Sequence, residues 1–496
     1  MISKPPAIYR QFIGVYKHYL GLLRLRCISF NLKGNVYKLF THSGLGITIE
    51  AQVRNNREEL LKILRREYLD FIDVEGAVPK DWPKPPRMII DGIYVEPDAN
   101  HELYITDTTF RDGQQAFYAY KVEDSVRLFK LLAELDNGSG RIPVSEFFPY
   151  TARDRSIIRA LKELNLRYPR VIGWGRARVD DVRLVKELKL DEMVMLMSIS
   201  DIHIKYKFNV DRARARDKYL EAAEYAMREG INLRCSLEDI TRADVLGFAV
   251  PLVNDLVKLS ERYGVRLVVK LPDTTGVGVP YPFASLPYSI PKLMWVFRNI
   301  ANLPPEALEF HGHGDYHMAV ANAVSAWLYG ASYNNGTMLG IGERAGNVPI
   351  EALVVWYARI KGDFGGMEPR VISRIVEAYR ELGYNIPRYQ PIVGENAFST
   401  SVGIHIHAQL RNRATYMSMS PEILGFRERI HVGPYSGRSG IAYWLRSMGV
   451  ISNDGDELVD RVYREVVKMY DEGVRREPID EEEFRRLIRE VQAKGG

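Results

Sequence analysis

Cysteine is almost absent from this chain: two occur, Cys27 and Cys235. That excludes a disulfide framework and a zinc site built of thiolates, and it fits a reducing cytoplasm. Long hydrophobic runs are missing too. No stretch approaches the ~18 consecutive apolar residues of a membrane span, so no membrane partner is expected. Acidic residues are absent from the first 49 positions, which hold seven Lys or Arg; the first acid is Glu50. The net charge is +5, and removing that +7 leaves −2 for the rest. A near-neutral body of this kind offers no basic surface for nucleic acid. The basic start has few serines and no signal-peptide core, so it reads as an added surface segment rather than a targeting sequence.

What is present is an ordinary globular composition, 46% hydrophobic and 26% charged over 496 residues. "DWPKPPR" at 81–87 reads as a stiff linker. From residue 102 the chain alternates between short apolar runs and amphipathic stretches. "ELYIT" precedes "VEDSVRLFKLLAEL", "VSEFFPY" precedes "RDRSIIRALKEL", and the pattern continues to "SYNNGTML" before "IEALVVWYARIKG". The count is eight strand–helix units between 102 and 362. Continuously apolar strands are those buried on both faces. The expectation is an α/β fold, a TIM (β/α)8 barrel over 101–365, rather than an open doubly wound sheet. Residues 1–100 form an N-terminal extension of unassigned role. Residues 366–496 lack the alternation and are expected to be mainly helical.

Active sites of such barrels lie at the C-terminal ends of the strands. The unusual polar residues fall there. Strand one ends in Arg111-Asp112, with Gln115 just beyond. Strand five carries Arg234, Ser236 and Glu238 at alternate positions, hence on one face. Strand six ends in Asp273-Thr274 and strand seven in "HGHGD", 311–315. His311 and His313 also share a face by alternation. With the Asp112 carboxylate they make a mixed nitrogen–oxygen set for a divalent ion, for which Mg²⁺, Mn²⁺, Zn²⁺ and Co²⁺ all qualify. Arg111 beside such an ion would hold a carboxylate or an oxyanion. Arg234 needs an anionic partner if it faces the barrel centre. Glu238 is one choice; the other is a second carboxylate on the substrate.

"DTTFRDGQQ", "HGHGDYHMAVANA" and "GIGERAGN" (340–347) together resemble the isopropylmalate synthase/homocitrate synthase family of barrel enzymes. "GIHIHA" at 403–408 and "RIHVGPYSGRSG" at 429–440 resemble its later motifs. The resemblance spans about 100–445. It implies a metal-dependent, Claisen-type condensation of acetyl-CoA with a 2-oxo acid, yielding a hydroxy acid and CoA. It also implies Asp112, His311, His313 and Asn347 as metal ligands, Thr274 on the substrate carboxylate, and a homodimer in which His405 reaches the partner's active site. Arg111, Glu238 and His405 are the catalytic candidates; Arg111, Gln115, Arg234, Ser236 and Thr274 are the substrate-binding ones. The Arg-x-Ser-x-Glu pattern is similar to homocitrate synthases, so 2-oxoglutarate or oxaloacetate (the Re-type citrate synthase substrate) ranks before 2-oxoisovalerate. The alternatives are a 2-isopropylmalate synthase and, further off, a barrel lyase or carboxyltransferase. The lyase reading lacks a cysteine on a late loop. The carboxyltransferase reading lacks a lysine before the strand-six Asp: Pro272 stands there and Lys270 comes earlier. Two positions depart from the family's usual motifs, Gly314 after "HGH" and Tyr435 in "GPYSGR".

Overall fold

The computed structural model describes residues 27–33, 36–41, 49–52, 88–90, 93–95, 97, 99–116 and 119–494. The chain divides into two compact units, Met1–Ile72 and Asp73–Gly496. In the first, Cys27–Lys33, Val36–Thr41 and Ile49–Gln52 form a three-stranded antiparallel sheet. The linker expected at 81–87 lies outside the described residues. In the second unit, Met88–Ile90 pairs with Ile93–Val95 ahead of the main domain.

Eight parallel strands then close on themselves. They are β1 (Tyr104–Asp107), β2 (Val144–Phe147), β3 (Arg170–Arg176), β4 (Glu192–Ser198), β5 (Asn232–Glu238), β6 (Leu267–Asp273), β7 (Leu308–Gly312) and β8 (Tyr333–Gly336). β8 pairs with β1 and completes the ring. Each strand is followed by its helix: α1 (Val122–Asp136), α2 (Ala152–Glu163), α3 (Val179–Glu187), α4 (Arg212–Arg228), α5 (Val250–Tyr263), α6 (Ile290–Asn299), α7 (Ala319–Leu328) and α8 (Ile350–Lys361). The expected TIM barrel is the observed fold. Every residue of β6 is buried, as a strand covered by helices outside and side chains inside must be.

Register sets depth within the barrel. Arg234 lies level with Val194 of β4 and Val268 of β6, whereas Glu238 lies level with Ser198 at the strand ends. Along a strand two residues advance roughly 6.6 Å. Side chains on one face of β5 therefore sit in successive layers.

Beyond the barrel, α9 (Val371–Glu381) shares the barrel's apolar core, which reaches Val393 and Leu424. The helices α10 (Gly403–Arg411), α11 (Gly437–Ser447), α12 (Glu457–Asp471) and α13 (Glu481–Lys494) follow. A second apolar core, from Val432 to Val491, is built by α11, α12 and α13. Among the described residues, no helix is long and apolar enough to cross a membrane.

Candidate active site at the barrel mouth

β7 ends at Gly312, and His313 continues it by an isolated bridge to Asn347. That bridge carries the far end of the 340–347 loop onto the strand end. The loop fits only because of its glycines. Gly346 has φ +86°, and a Cβ there would lie 2.2 Å from the carbonyl oxygen of Gly340. Gly314 donates its N–H to the Gly346 carbonyl at 2.9 Å, and a Cβ on it would lie 2.8 Å from the Ala345 carbonyl oxygen. The departure at Gly314 is thus the means by which this loop packs tightly against β7.

Asp112, His311 and His313 converge, all buried, with one ligand atom of each within 4.8 Å of the others. Nε2 of His311 and Nε2 of His313 are 3.2 Å apart and face Oδ2 of Asp112 at 3.4 and 3.9 Å. Asn347 donates Nδ2 to that same oxygen at 2.8 Å, and its own Oδ1 is buried without a partner. The tautomer of His311 follows from its neighbour. Asn335 Nδ2 faces three acceptors: Glu146 Oε1 at 3.0 Å, Thr106 Oγ1 at 2.9 Å and the Thr106 carbonyl at 3.3 Å. Its Oδ1 therefore faces His311 Nδ1, 2.7 Å away, which must carry the proton. Nε2 is left with its lone pair turned into the cluster, as metal-binding histidines require. Burial, then the neighbouring His313, pushes the His311 imidazole down to about 3, so it is neutral at pH 7. Burial favours the neutral form of Asp112, but the Arg111 guanidinium chiefly outweighs it and, with the hydrogen bond from Asn347, holds the carboxyl well below its usual range. A carboxylate, two neutral imidazoles and an orphaned amide oxygen suit a hard or borderline divalent ion.

Arg111 is held from three sides. Its guanidinium meets Asp112 at 3.0 Å and Glu146 at 3.1 and 3.2 Å, and it stacks on Trp174 at 5.3 Å from the ring centre. It lines a cavity of about 250 Å³ together with Asp112, His311 and His313. Gln115, Ser236, Glu238 and Thr274 line it too. Oγ1 of Thr274 accepts from the Asp239 N–H at 2.9 Å, which leaves its own proton to donate into the cavity.

The structure corrects one expectation. Arg234 lies outside the cavity, wholly buried one layer lower. Its Nε bonds Glu192 at 2.5 Å, its Nη1 bonds Glu309 at 2.7 Å, and its guanidinium stacks on Tyr333 at 4.8 Å. Alternation gives the face of a residue and not its depth. The partners of Arg234 are two distant glutamates, its Nη2 is buried without a partner, and it does not line the cavity. Glu238 does line the cavity, but it is clasped by His203 (3.2 Å) and Lys207 (2.6 Å) from the segment after β4. Burial would raise its carboxyl; the hydrogen bond from His203 and the charge of Lys207 pull it down to about 2, making it a poor proton acceptor. His405 does not line the cavity of its own chain; it stacks on Tyr416, ring centres 4.0 Å apart. Trp174, His203, Lys207 and the loop pair Glu343-Arg344 escaped the sequence reading. Only Glu343-Arg344 carried a visible signal, its place inside "GIGERAGN".

A barrel with its reactive side chains gathered at the C-terminal mouth defines the class of the TIM-barrel enzymes. Residues 102–371 match the HMGL-like family, and residues 392–474 match the homocitrate synthase post-HMGL domain. A citrate (Re)-synthase of Clostridium kluyveri is 40% identical over 417 residues, covering 83% of this chain and 92% of that relative. A citrate (Re)-synthase of Syntrophus aciditrophicus is 41% identical over 370 residues, 74% of this chain and 58% of that longer relative. A 2-isopropylmalate synthase of Sulfurisphaera tokodaii is 30% identical, covering 75% of this chain and 92% of that protein. The chain belongs to the HMGL-like family, and it is an enzyme of the type that condenses acetyl-CoA with a 2-oxo acid.

Proposed function

We propose that this enzyme joins acetyl-CoA to oxaloacetate and releases citrate and CoA after hydrolysis of the thioester. The observation that carries this choice is the polarity of the cavity: of its thirteen lining residues only Trp174, Leu196 and Pro272 are apolar. A branched apolar oxo acid finds little to pack against there, whereas a four-carbon dicarboxylate meets Gln115, Ser236, Thr274 and Arg344. The likeness to the two citrate (Re)-synthases supports the same substrate. With Arg234 sealed below, the arm of the longer 2-oxoglutarate has no buried cation to reach for.

A divalent ion held by Asp112, His311, His313 and Asn347 would supply Lewis acidity to the bound ketone. Arg111, fixed by Glu146 and Trp174, neutralises the charge that grows on the former carbonyl oxygen. Thr274 donates to the substrate carboxylate. Glu238, locked in its ionised form, anchors Lys207 and His203 over the mouth. The acid–base group is then His405 of a second copy, since a histidine exchanges protons readily near neutral pH. Exposed apolar side chains around α10 support a homodimer with shared sites: Ile404 is 72% exposed, Tyr435 76% and Tyr416 52%. We also infer a cytoplasmic location, on the scarcity of cysteine.

The test is kcat/KM with acetyl-CoA and each of oxaloacetate, 2-oxoglutarate and 2-oxoisovalerate in the metal-loaded enzyme. Oxaloacetate is expected to lead by at least about tenfold. A preference for 2-oxoisovalerate would replace this reading with isopropylmalate synthesis. Mixing inactive His405→Ala and Asp112→Ala chains is expected to restore part of the activity. No recovery after verified subunit exchange would refute the shared site.

A further inference from the structure

Below the cavity, the barrel interior holds a column of buried charges that alternate in sign. Glu192, near the N-terminal ends of the strands, accepts from Arg170, Arg266 and Arg234. Arg234 passes on to Glu309 at 2.7 Å. Glu309 lies 3.2 Å from Nζ of Lys270, whose other partner is Glu146. Glu146 meets Arg111, and Arg111 meets Asp112 at 3.0 Å. The side chains of Arg234, Glu309, Lys270 and Glu146 are each at most 1% exposed.

One carboxylate is the fork of this column. Oε2 of Glu146 accepts from Arg111 and, at 3.0 Å, from Thr108. Oε1 accepts from Lys270 and from Asn335, the residue that sets the tautomer of His311. Support for Arg111 and for His311 from beneath the site therefore passes through the same group. A buried carboxylate stays ionised and in one rotamer only while its cations hold it.

The geometry points to Lys270 as a positioning residue for the active site. By pinning Oε1 of Glu146 it fixes the rotamer that presents Oε2 to Arg111 and Oε1 to Asn335, and so sets the guanidinium and the His311 ring. Lys270 does not line the cavity, and its ion pairs go to Glu146 and Glu309, not to the proposed ligands, although its charge is felt at His311. The inference rests on the reading of Asp112, His311, His313 and Asn347 as a metal centre. The competing role is charge neutralisation alone, in which Lys270 only keeps Glu146 and Glu309 from destabilising the fold.

The two roles separate in the cobalt-loaded protein. Full-length enzyme stripped of metal is titrated with CoCl₂, and affinity and visible absorption are read for wild type, Lys270→Arg, Lys270→Met and the double variant Lys270→Met/Glu309→Gln. The double variant removes one positive and one negative charge, so the column keeps its balance and the fold is spared an unpaired glutamate. Positioning predicts that both Met variants bind Co²⁺ about ten- to hundredfold more weakly, the usual effect of losing support behind a ligand. It further predicts an altered visible spectrum, a fall in kcat larger than any rise in KM, and partial recovery in Lys270→Arg. A folded double variant with the wild-type spectrum and affinity would overturn the role of Lys270. If wild type itself takes up no stoichiometric Co²⁺, the metal-centre reading fails, and this inference falls with it.

Discussion

The mouth of the barrel and the layer beneath it use the same residue types to opposite ends. In the lower layer Glu192, Arg234, Glu309 and Lys270 find one another, each carboxylate has at least two cationic partners, and one nitrogen, Nη2 of Arg234, is left without a partner. At the mouth, the nitrogens of His311 and His313 and the carboxylate of Asp112 crowd together without such closure, and Nδ1 of His313 and Oδ1 of Asn347 are buried without partners. A buried polar atom left unpaired costs about 1–3 kcal/mol. Two of them gathered beside the Asp112 carboxylate and the His311 imidazole suit a ligand that completes them. The comparison teaches that chemistry is marked by incomplete pairing, and that buried charge by itself marks architecture.

Changing the mouth should give the largest effect. His313→Ala or Asp112→Asn is expected to lower turnover at least about a thousandfold, with loss of metal retention, because the first removes a proposed nitrogen ligand and the second the negative charge of a proposed carboxylate ligand. Metal content by elemental analysis beside the rate of CoA release checks this; full activity in metal-free variant protein would erase the distinction between the layers. The lower layer should respond in stability and not in specificity. Arg234→Met leaves Glu192 and Glu309 each short of a cation, a loss of about 3–5 kcal/mol by the measure of broken buried pairs. Denaturant unfolding gives that number, and the ranking of oxo acids in whatever folded protein remains should be unchanged. A switch in ranking would return Arg234 to the substrate.

A smaller effect sharpens the comparison at a third place. Glu351, in the first turn of α8, is buried among Leu135, Leu339, Ile372 and Ile375. One oxygen accepts from the Leu339 N–H at 3.1 Å, and the other has no partner. Burial raises its carboxyl from 4.5 to about 7. The folded state therefore prefers the protonated acid. Its stabilising contribution is complete below pH 4.5 and is lost as pH rises through about 7. Wild type should lose up to about 3 kcal/mol between those limits and pH 8 from this group, and Glu351→Gln should lose none of it. Thermal unfolding across that range reads the difference as a slope; parallel profiles for the two proteins would count against it.

The barrel was legible because its signals are local. Eight apolar runs, each followed by a helix-forming stretch, leave few other ways to bury both faces of the strands. Asp112, His311 and His313 were legible for a related reason: a residue at the end of a barrel strand is at the mouth whatever else surrounds it. Asn347 came from resemblance, and the structure brings it to the cluster through a backbone bridge to His313 and a hydrogen bond to Asp112. Arg234 was misjudged because period-two alternation carries no depth, and depth depends on how neighbouring strands are staggered. Trp174, on β3, and Lys207, in the short helical segment Ile204–Phe208, reach the site region from stretches whose sequences look ordinary. Sequence alone thus determined the fold, the family resemblance and the three residues proposed for the metal site, because strand–helix alternation and strand ends are local properties. Tertiary structure alone decided which charges satisfy each other and which stay open, because pairing depends on distances between segments far apart in the chain.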